Sequence, residues 1–153
     1  MQDIIIASDH RGFELKQSVK NYLREKKLFF VDVGVESADK PNNEALMPPI
    51  IKVVKEAMDC VKGTKHMCGI LICGNGIGMS IAANRFKGIR AALCRTVDDA
   101  KQARQHNDCN VLCLGGDITN LEDAKKIINT FVNTKPLEET RYRRRQALLD
   151  TLS

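Results

Sequence analysis

The sequence predicts an α/β fold, a doubly wound five-stranded parallel sheet with helices on both faces. Three observations carry this reading. Five short apolar runs punctuate the 153 residues. Most are continuously apolar and rich in Ile, Val and Leu, as strands buried on both faces are. Segments with helical apolar spacing separate them, and strand–helix alternation is the mark of a parallel sheet covered on both sides.

The elements follow in order. IIIAS (4–8) is the first strand, and Leu15, Val19, Tyr22 and Leu23 then share one helical face. FFVDVG (29–34) is the second strand. SADKPNNEALMPP (37–49) is the one long irregular connection. Leu46, Ile50, Val53, Val54, Ala57, Met58 and Val61 make the next helical stripe. GILICG (69–74) is the third strand, followed by a turn through Gly78 and a short helix. IRAALC (89–94) is the fourth strand, and a helix covers 98–105. VLCLGG (111–116) is the fifth. A stripe of Leu121, Ala124, Ile127, Ile128 and Phe131 follows it, and a last element starts near Glu138, after Pro136. With right-handed crossovers these units make a Rossmann-like three-layer sandwich. Residues 1–153 read as one domain, with no internal repeat or low-complexity segment.

Composition excludes several classes. The apolar share of 43% and charged share of 28% are those of a globular protein. No apolar run approaches the roughly 20 residues that cross a bilayer. Ile4–Ala7 after the acidic Asp3 makes a poor secretory leader, so a cytoplasmic location is expected. The net charge of +5 owes much to Arg141, Arg143, Arg144 and Arg145, which could form a solvated face, a nucleic-acid patch or an anion site. The six cysteines include no C-x-x-C pair, which suits reduced thiols. His66 and Cys68 match no familiar zinc spacing, so no metal is expected.

In doubly wound sheets ligands bind at the carboxyl ends of strands, where the connection order reverses. Two loops with chemistry sit at such ends, SDHRGF (8–13) and CGNGIG (73–78). If their strands are neighbours, Asp9, His10 and Cys73 converge. The glycine turn is not a dinucleotide fingerprint, because Met79 stands where glycine is needed, and no Gly-Lys-Ser/Thr follows for a P-loop. It is instead a run of backbone N–H groups, at Gly74, Gly76 and Gly78, entering a helix, where negative charge is favoured and a thiol ionises more readily. From this motif alone, Cys73 as a small buried residue beside an ordinary turn is an equal reading. The same holds for His106 and Asn107 in RQHNDCNVLCLGG (104–116): His106 suits proton transfer near neutral pH, and equally suits capping a loop. Arg141 and Arg145 stand four apart, so on a helix they point the same way and can grip one phosphate, whereas Arg143 faces elsewhere.

With these residues in view, the chain resembles ribose-5-phosphate isomerase type B and its relatives, the galactose-6-phosphate isomerase subunits. The segments that carry the resemblance are SDHRGFELK (8–16), GILICGNGIGMSIAANR (69–85), GIRAALC (88–94), ARQHNDCNVLCLGG (103–116) and RYRRR (141–145). They are collinear and span nearly the whole chain. The resemblance implies an aldose–ketose isomerase acting on a phosphorylated sugar through an enediolate, without metal or cofactor. By the same resemblance Cys73 is the base, His106 with Asp9 opens the sugar ring, Asn107 contacts substrate, and His10, Arg141 and Arg145 bind phosphate. It further implies a homodimer or tetramer whose active sites combine two subunits, with the C-terminal helix packed on the partner. Proton abstraction beside a carbonyl then gains from the Gly74–Gly78 amides, each worth about 3 kcal/mol in related sites.

Three departures stand out. Asn75 replaces a usual Thr or Ser, and its amide can still donate to an enediolate. A tyrosine expected before a proline is replaced around Met47-Pro48. Asp117 stands where relatives carry arginine, and a carboxylate there repels phosphate unless it points away or Arg144 or Arg11 compensates. Asp117→Arg is accordingly expected to lower KM for a phosphosugar. The leading reading is interconversion of ribose 5-phosphate and ribulose 5-phosphate. The alternatives are a six-carbon phosphosugar (allose or galactose 6-phosphate) as substrate, or a noncatalytic sugar-phosphate sensor. A nucleic-acid role is weaker, because no aromatic platform accompanies the arginines.

Overall fold

The computed structural model describes residues 3–38, 49–61 and 67–152, with side chains described from residue 54 onward in the second stretch. The elements are β1 (Asp3–Ser8), α1 (Phe13–Glu25), β2 (Phe30–Asp32), α2 (Pro49–Val61), β3 (Met67–Cys73), α3 (Ile77–Ala83), β4 (Ala91–Leu93), α4 (Val97–Asn107), β5 (Val111–Gly115), α5 (Leu121–Asn133) and α6 (Thr140–Leu149). The strands make one parallel sheet in the order β2-β1-β3-β5-β4. This is the expected doubly wound sandwich.

Side-chain alternation along each strand divides the core into two layers. Ile4 and Ile6 of β1, Ile70 and Ile72 of β3, and Leu112 and Leu114 of β5 pack with α1, α4 and α5. Ile5, Ala7, Leu71, Cys73, Val111 and Cys113 turn to the other face, against α2 and α3. The direction of each step across the sheet explains the division. Connections from β1 to β2 and from β4 to β5 run one way, and those from β2 to β3 and β3 to β4 run the other. Crossovers of a single hand then place α1 and α4 on one face and α2 and α3 on the other.

Several boundaries differ from the expectation, each for a local reason. The edge strands are short: FFVDVG contributes only Phe30–Asp32 and IRAALC only Ala91–Leu93. Beyond Asp32 the chain still bonds to β1, with Val33 N donating to Ile6 O at 3.0 Å and Val35 N to Ser8 O at 3.1 Å. Helix α2 begins at Pro49, whose missing N–H costs nothing in a first turn; Leu46 lies outside the described residues. Helix α3 begins at Ile77, so Gly78 sits in its first turn rather than before it. Helix α4 is longer than expected. Thr96 and Asp99 form a reciprocal capping box at its start, and it runs on through His106 and Asn107.

A buried cation joins α1 to β2. Lys16 is only 1% exposed, and its Nζ donates to Asp32 Oδ1 at 2.9 Å and to Val35 O at 2.7 Å. Lys20 Nζ reaches the other oxygen of Asp32 at 2.6 Å. Burial works against the Asp32 carboxylate, but hydrogen bonds from Lys20, Lys16 and the Gly34 amide outweigh it and hold its pKa below the ordinary 3.8. A carboxyl depressed in this way stabilises the fold above its unfolded pKa, and that contribution is lost as pH falls through the folded value. Asp32→Asn is therefore expected to lower stability at pH 7 and to flatten the loss of stability below about pH 4. Denaturant midpoints at pH 7 and pH 3 measure both effects; an acid limb as steep as the parent's would contradict this role.

Candidate active site

Strands β1 and β3 pair directly, with Ser8 opposite Ile72, so the residues that follow them emerge side by side at the carboxyl edge. Asp9 and Cys73 are 3% and 4% exposed. The Asp9 amide donates to Ile72 O at 3.2 Å, and its carboxylate Oδ1 accepts from Gly12 N at 3.0 Å. The Asp9 carboxylate is thereby fixed in the loop between β1 and α1.

The glycine turn wraps the sulfur. Gly76 adopts φ +77°, and a Cβ there would lie 2.5 Å from Leu93 Cδ1. This left-handed residue swings its own N–H back to Cys73 Sγ, at 3.2 Å. The Gly76 amide is thus committed to the sulfur. Asn75 Oδ1 accepts from Ile77 N at 3.1 Å, and the exposed Asn75 and Gly78 face outward from the turn. From β5, Gly116 N donates to Cys73 O at 2.7 Å and Asp117 N to Gly74 O at 2.9 Å, locking the turn to its neighbour.

Burial disfavours ionisation of four other thiols. Burial pushes Cys68 and Cys94 up to about 12, Cys109 up to about 11, and the wholly enclosed Cys113 well above its usual value. No disulfide joins any of the six cysteines. Among the described residues no three His, Cys, Asp or Glu side chains converge as a metal would require, and His66 lies outside them.

His10 follows Asp9 in the same loop. Its Nδ1 and the Ser8 Oγ are buried polar atoms with no hydrogen-bond partner among the described residues. A buried polar atom of this kind costs about 1–3 kcal/mol unless something binds to it. Asp117, the carboxylate in conflict with a phosphate, is ion-paired to Arg11. Of the two compensating residues expected, the structure selects Arg11.

The remaining site residues lie at the opposite edge. Helix α4 ends at Asn107 and runs into β5 from its amino end. Cys73 pairs with Gly115, the last residue of β5. Val111 to Gly115 alone spans about 13 Å at a rise of about 3.3 Å per residue. His106 and Cys73 of one chain therefore do not meet.

At this amino edge α6 folds onto its own chain. The Tyr142 ring stacks on His106 with centroids 4.8 Å apart and planes 1° from parallel. The guanidinium groups of Arg141 and Arg145 lie 4.7 and 5.9 Å from the same Tyr142 ring. Gln146 Nε2 donates to His106 O at 3.4 Å. Arg143 points away and pairs with Glu138. Buried Arg104 secures the end of α4 through Asp108 Oδ1 at 3.1 Å, Thr134 O at 3.3 Å and the Cys109 carbonyl. A cleft of about 420 Å³ opens here, lined by Asn84, Arg90, Asn107, Leu149 and Asp150 among others. This cleft is thus at the Asn107 end, away from the thiol.

The Tyr142–His106 contact was not legible beforehand, and the Arg11–Asp117 contact was only one of the options the sequence left open. Nothing in the spacing of RYRRR marks Tyr142 as a platform for His106, because the stack depends on how α6 docks. The Arg11–Asp117 pair joins loops 106 residues apart.

The chain matches the family described as ribose/galactose isomerase over residues 4–149. It is 38% identical over 135 residues to ribose-5-phosphate isomerase B of Escherichia coli, covering 88% of this chain and 86% of that protein. It is 36% identical over 135 residues to D-erythrulose-4-phosphate isomerase of Pectobacterium atrosepticum, covering 88% and 85%. A solved ribose 5-phosphate isomerase of Thermotoga maritima superimposes with a TM-score of 0.88 at 41% identity, covering 98% of both chains.

The Gly76 geometry yields a specific expectation. Gly76→Ala should destabilise the protein by about 1–2 kcal/mol, the cost of a left-handed backbone with a Cβ. It should also slow alkylation of Cys73 at pH 7, since the amide that holds the sulfur in place is displaced. Chemical denaturation and peptide-resolved alkylation measure the two effects; unchanged Cys73 reactivity would remove the amide from this role.

Proposed function

The chain belongs to the ribose/galactose isomerase family and is a sugar-phosphate isomerase, and from that premise we propose that it interconverts ribose 5-phosphate and ribulose 5-phosphate with Cys73 as the base. The single observation that carries the assignment is the sulfur of Cys73. It stands at the carboxyl end of β3, beside Asp9, and accepts the Gly76 amide.

The chemistry balances within the substrate. The thiolate takes the C2 proton of the open-chain aldose, and the electron pair moves to the C1 oxygen as an enediolate forms. The thiol, whose proton exchanges with solvent, delivers a proton to C1, the C2 hydroxyl proton passes to the C1 oxygen, and the ketose results, with no net oxidation. The developing oxyanion faces the Gly74 and Gly78 amides and the Asn75 side chain, donors of the kind that accelerate such steps. Gly76 acts on the sulfur instead.

Ring opening needs a proton donor besides the base. His106, helped by Asp9, fills that role if a second copy brings its amino edge to the thiol. Asn107 then contacts the sugar, and Arg141 and Arg145 meet the phosphate with His10. The protein is accordingly a homodimer or tetramer with shared sites, formed by residues 1–153 as one domain. Exposed apolar side chains suit that assembly: Ile77 and Ile81 on α3, beside the thiol turn, and Leu148 and Leu149 on α6. Among the described residues no helix is long and apolar enough to cross a membrane. A cytoplasmic enzyme without nucleic-acid or membrane partners fits this reading.

A six-carbon phosphosugar is the second reading. It is favoured by the family description, which includes galactose, and by a relative whose name gives a four-carbon sugar, so sugar length varies among similar proteins. Incubation with ribose 5-phosphate in deuterated water is expected to give ribulose 5-phosphate carrying deuterium at C1. Cys73→Ala should abolish both turnover and exchange. Faster turnover of allose or galactose 6-phosphate would move the assignment to the second reading, and turnover surviving in Cys73→Ala would remove the thiol as base.

A further inference from the structure

We infer that Arg11 is an anion ligand of this site, held in place by Asp117, and that the anion is the phosphoryl group of the substrate; the last step rests on the sugar-phosphate reading above. Three independent features place the guanidinium. Its Nη2 is paired with the Asp117 carboxylate. It lies directly on the turn that carries the thiol: a Cβ on Gly74 would sit 2.5 Å from Arg11 Cζ, 2.6 Å from Nε and 2.9 Å from Nη1. Asp117 is itself tied to that turn, its amide donating to Gly74 O at 2.9 Å. The cation is therefore registered to the residue next to Cys73 by side chain, by backbone and by the absence of a side chain at 74.

Stability does not explain the arrangement. The two side chains are 59% and 41% exposed, and ion pairs that wet contribute little to folding. A guanidinium has five N–H donors in a planar fork. Among the described residues only Nη2 of Arg11 has a hydrogen-bond partner. Nε and Nη1 remain for a ligand, and the adjoining His10 has a buried Nδ1 with no partner. An imidazole nitrogen and a forked cation in consecutive residues recognise a tetrahedral dianion. The carboxylates nearby are Asp117, paired with Arg11, and Asp9, whose Oδ1 accepts the Gly12 amide. Asp117 is thus a positioning residue: it orients Arg11, and it becomes a repulsive charge if Arg11 is removed.

The test uses the full-length protein and inorganic phosphate as the probe, reading protection of the Cys73 peptide from iodoacetamide. Phosphate should protect the parent. Arg11→Met should raise the protecting concentration about tenfold, as loss of one charge-assisted hydrogen bond predicts, with Arg11→Lys in between. Adding Asp117→Asn to Arg11→Met should recover part of the loss, because it removes the stranded carboxylate. With ribose 5-phosphate, Arg11→Met should raise KM more than it lowers kcat. No protection of the parent, unchanged protection in Arg11→Met, or a double variant no better than Arg11→Met would each overturn the inference. The readout needs no turnover: Arg11-dependent protection in a protein inactive on ribose 5-phosphate would sink the proposed reaction and leave the anion site standing.

Discussion

The parallel pairing of β1 with β3 is the constraint on which the rest of the structure depends. With Ser8 opposite Ile72, the chain has no choice but to release Asp9 and Cys73 together at one edge of the sheet. This is also where the connection order reverses, so no crossover covers the crevice. The turn after β3 then has to bend sharply, clear Leu93 and point a donor back at the sulfur, and Gly76 satisfies all three. The loops after β1, β3 and β5 knit around this point through backbone bonds from Asp9, Gly116 and Asp117. The thiol is held by main chain, which has few ways to relax.

The same parallel geometry separates Cys73 from His106 within one chain. A helix that precedes a strand delivers its last residues to the amino edge, and α4 delivers His106 and Asn107 there. Helix α6 adds Tyr142, Arg141 and Arg145 to that edge, and the Tyr142 stack makes them one unit with His106. On the proposed reading each chain carries the carbon-acid half of the site at one end and a group of proton donors and cations at the other. Self-association that joins unlike ends is the simplest way to complete the chemistry, and a two-fold axis does so twice.

The fold was legible because its signals are local and mutually consistent. Continuous apolar runs marked β1, β3 and β5, and helical stripes marked α1 and α5. The edge strands were overestimated because apolar composition extends past the last ladder partner. The carboxyl-edge cluster was legible because strand ends and turn glycines can be placed from topology. What escaped the sequence depends on docking rather than periodicity. His106 and Asn107 read as a loop, since only the Thr96–Asp99 capping box and the Arg104 contacts carry α4 so far. The Arg11–Asp117 pair was one of two options for an unwelcome carboxylate, and only the packing of loops 9–12 and 116–117 decides between them.

The central claim is that a working site takes Cys73 from one subunit and His106 from another. Mixing is the most direct measurement: inactive Cys73→Ala and inactive His106→Asn chains are denatured together, refolded and assayed with ribose 5-phosphate. A mixed dimer would hold one site with both residues intact, so activity should return to about a quarter of the parent's for random pairing. If the mixture stays as inactive as its components while forming dimers, the two residues do not serve a shared site and the account is wrong.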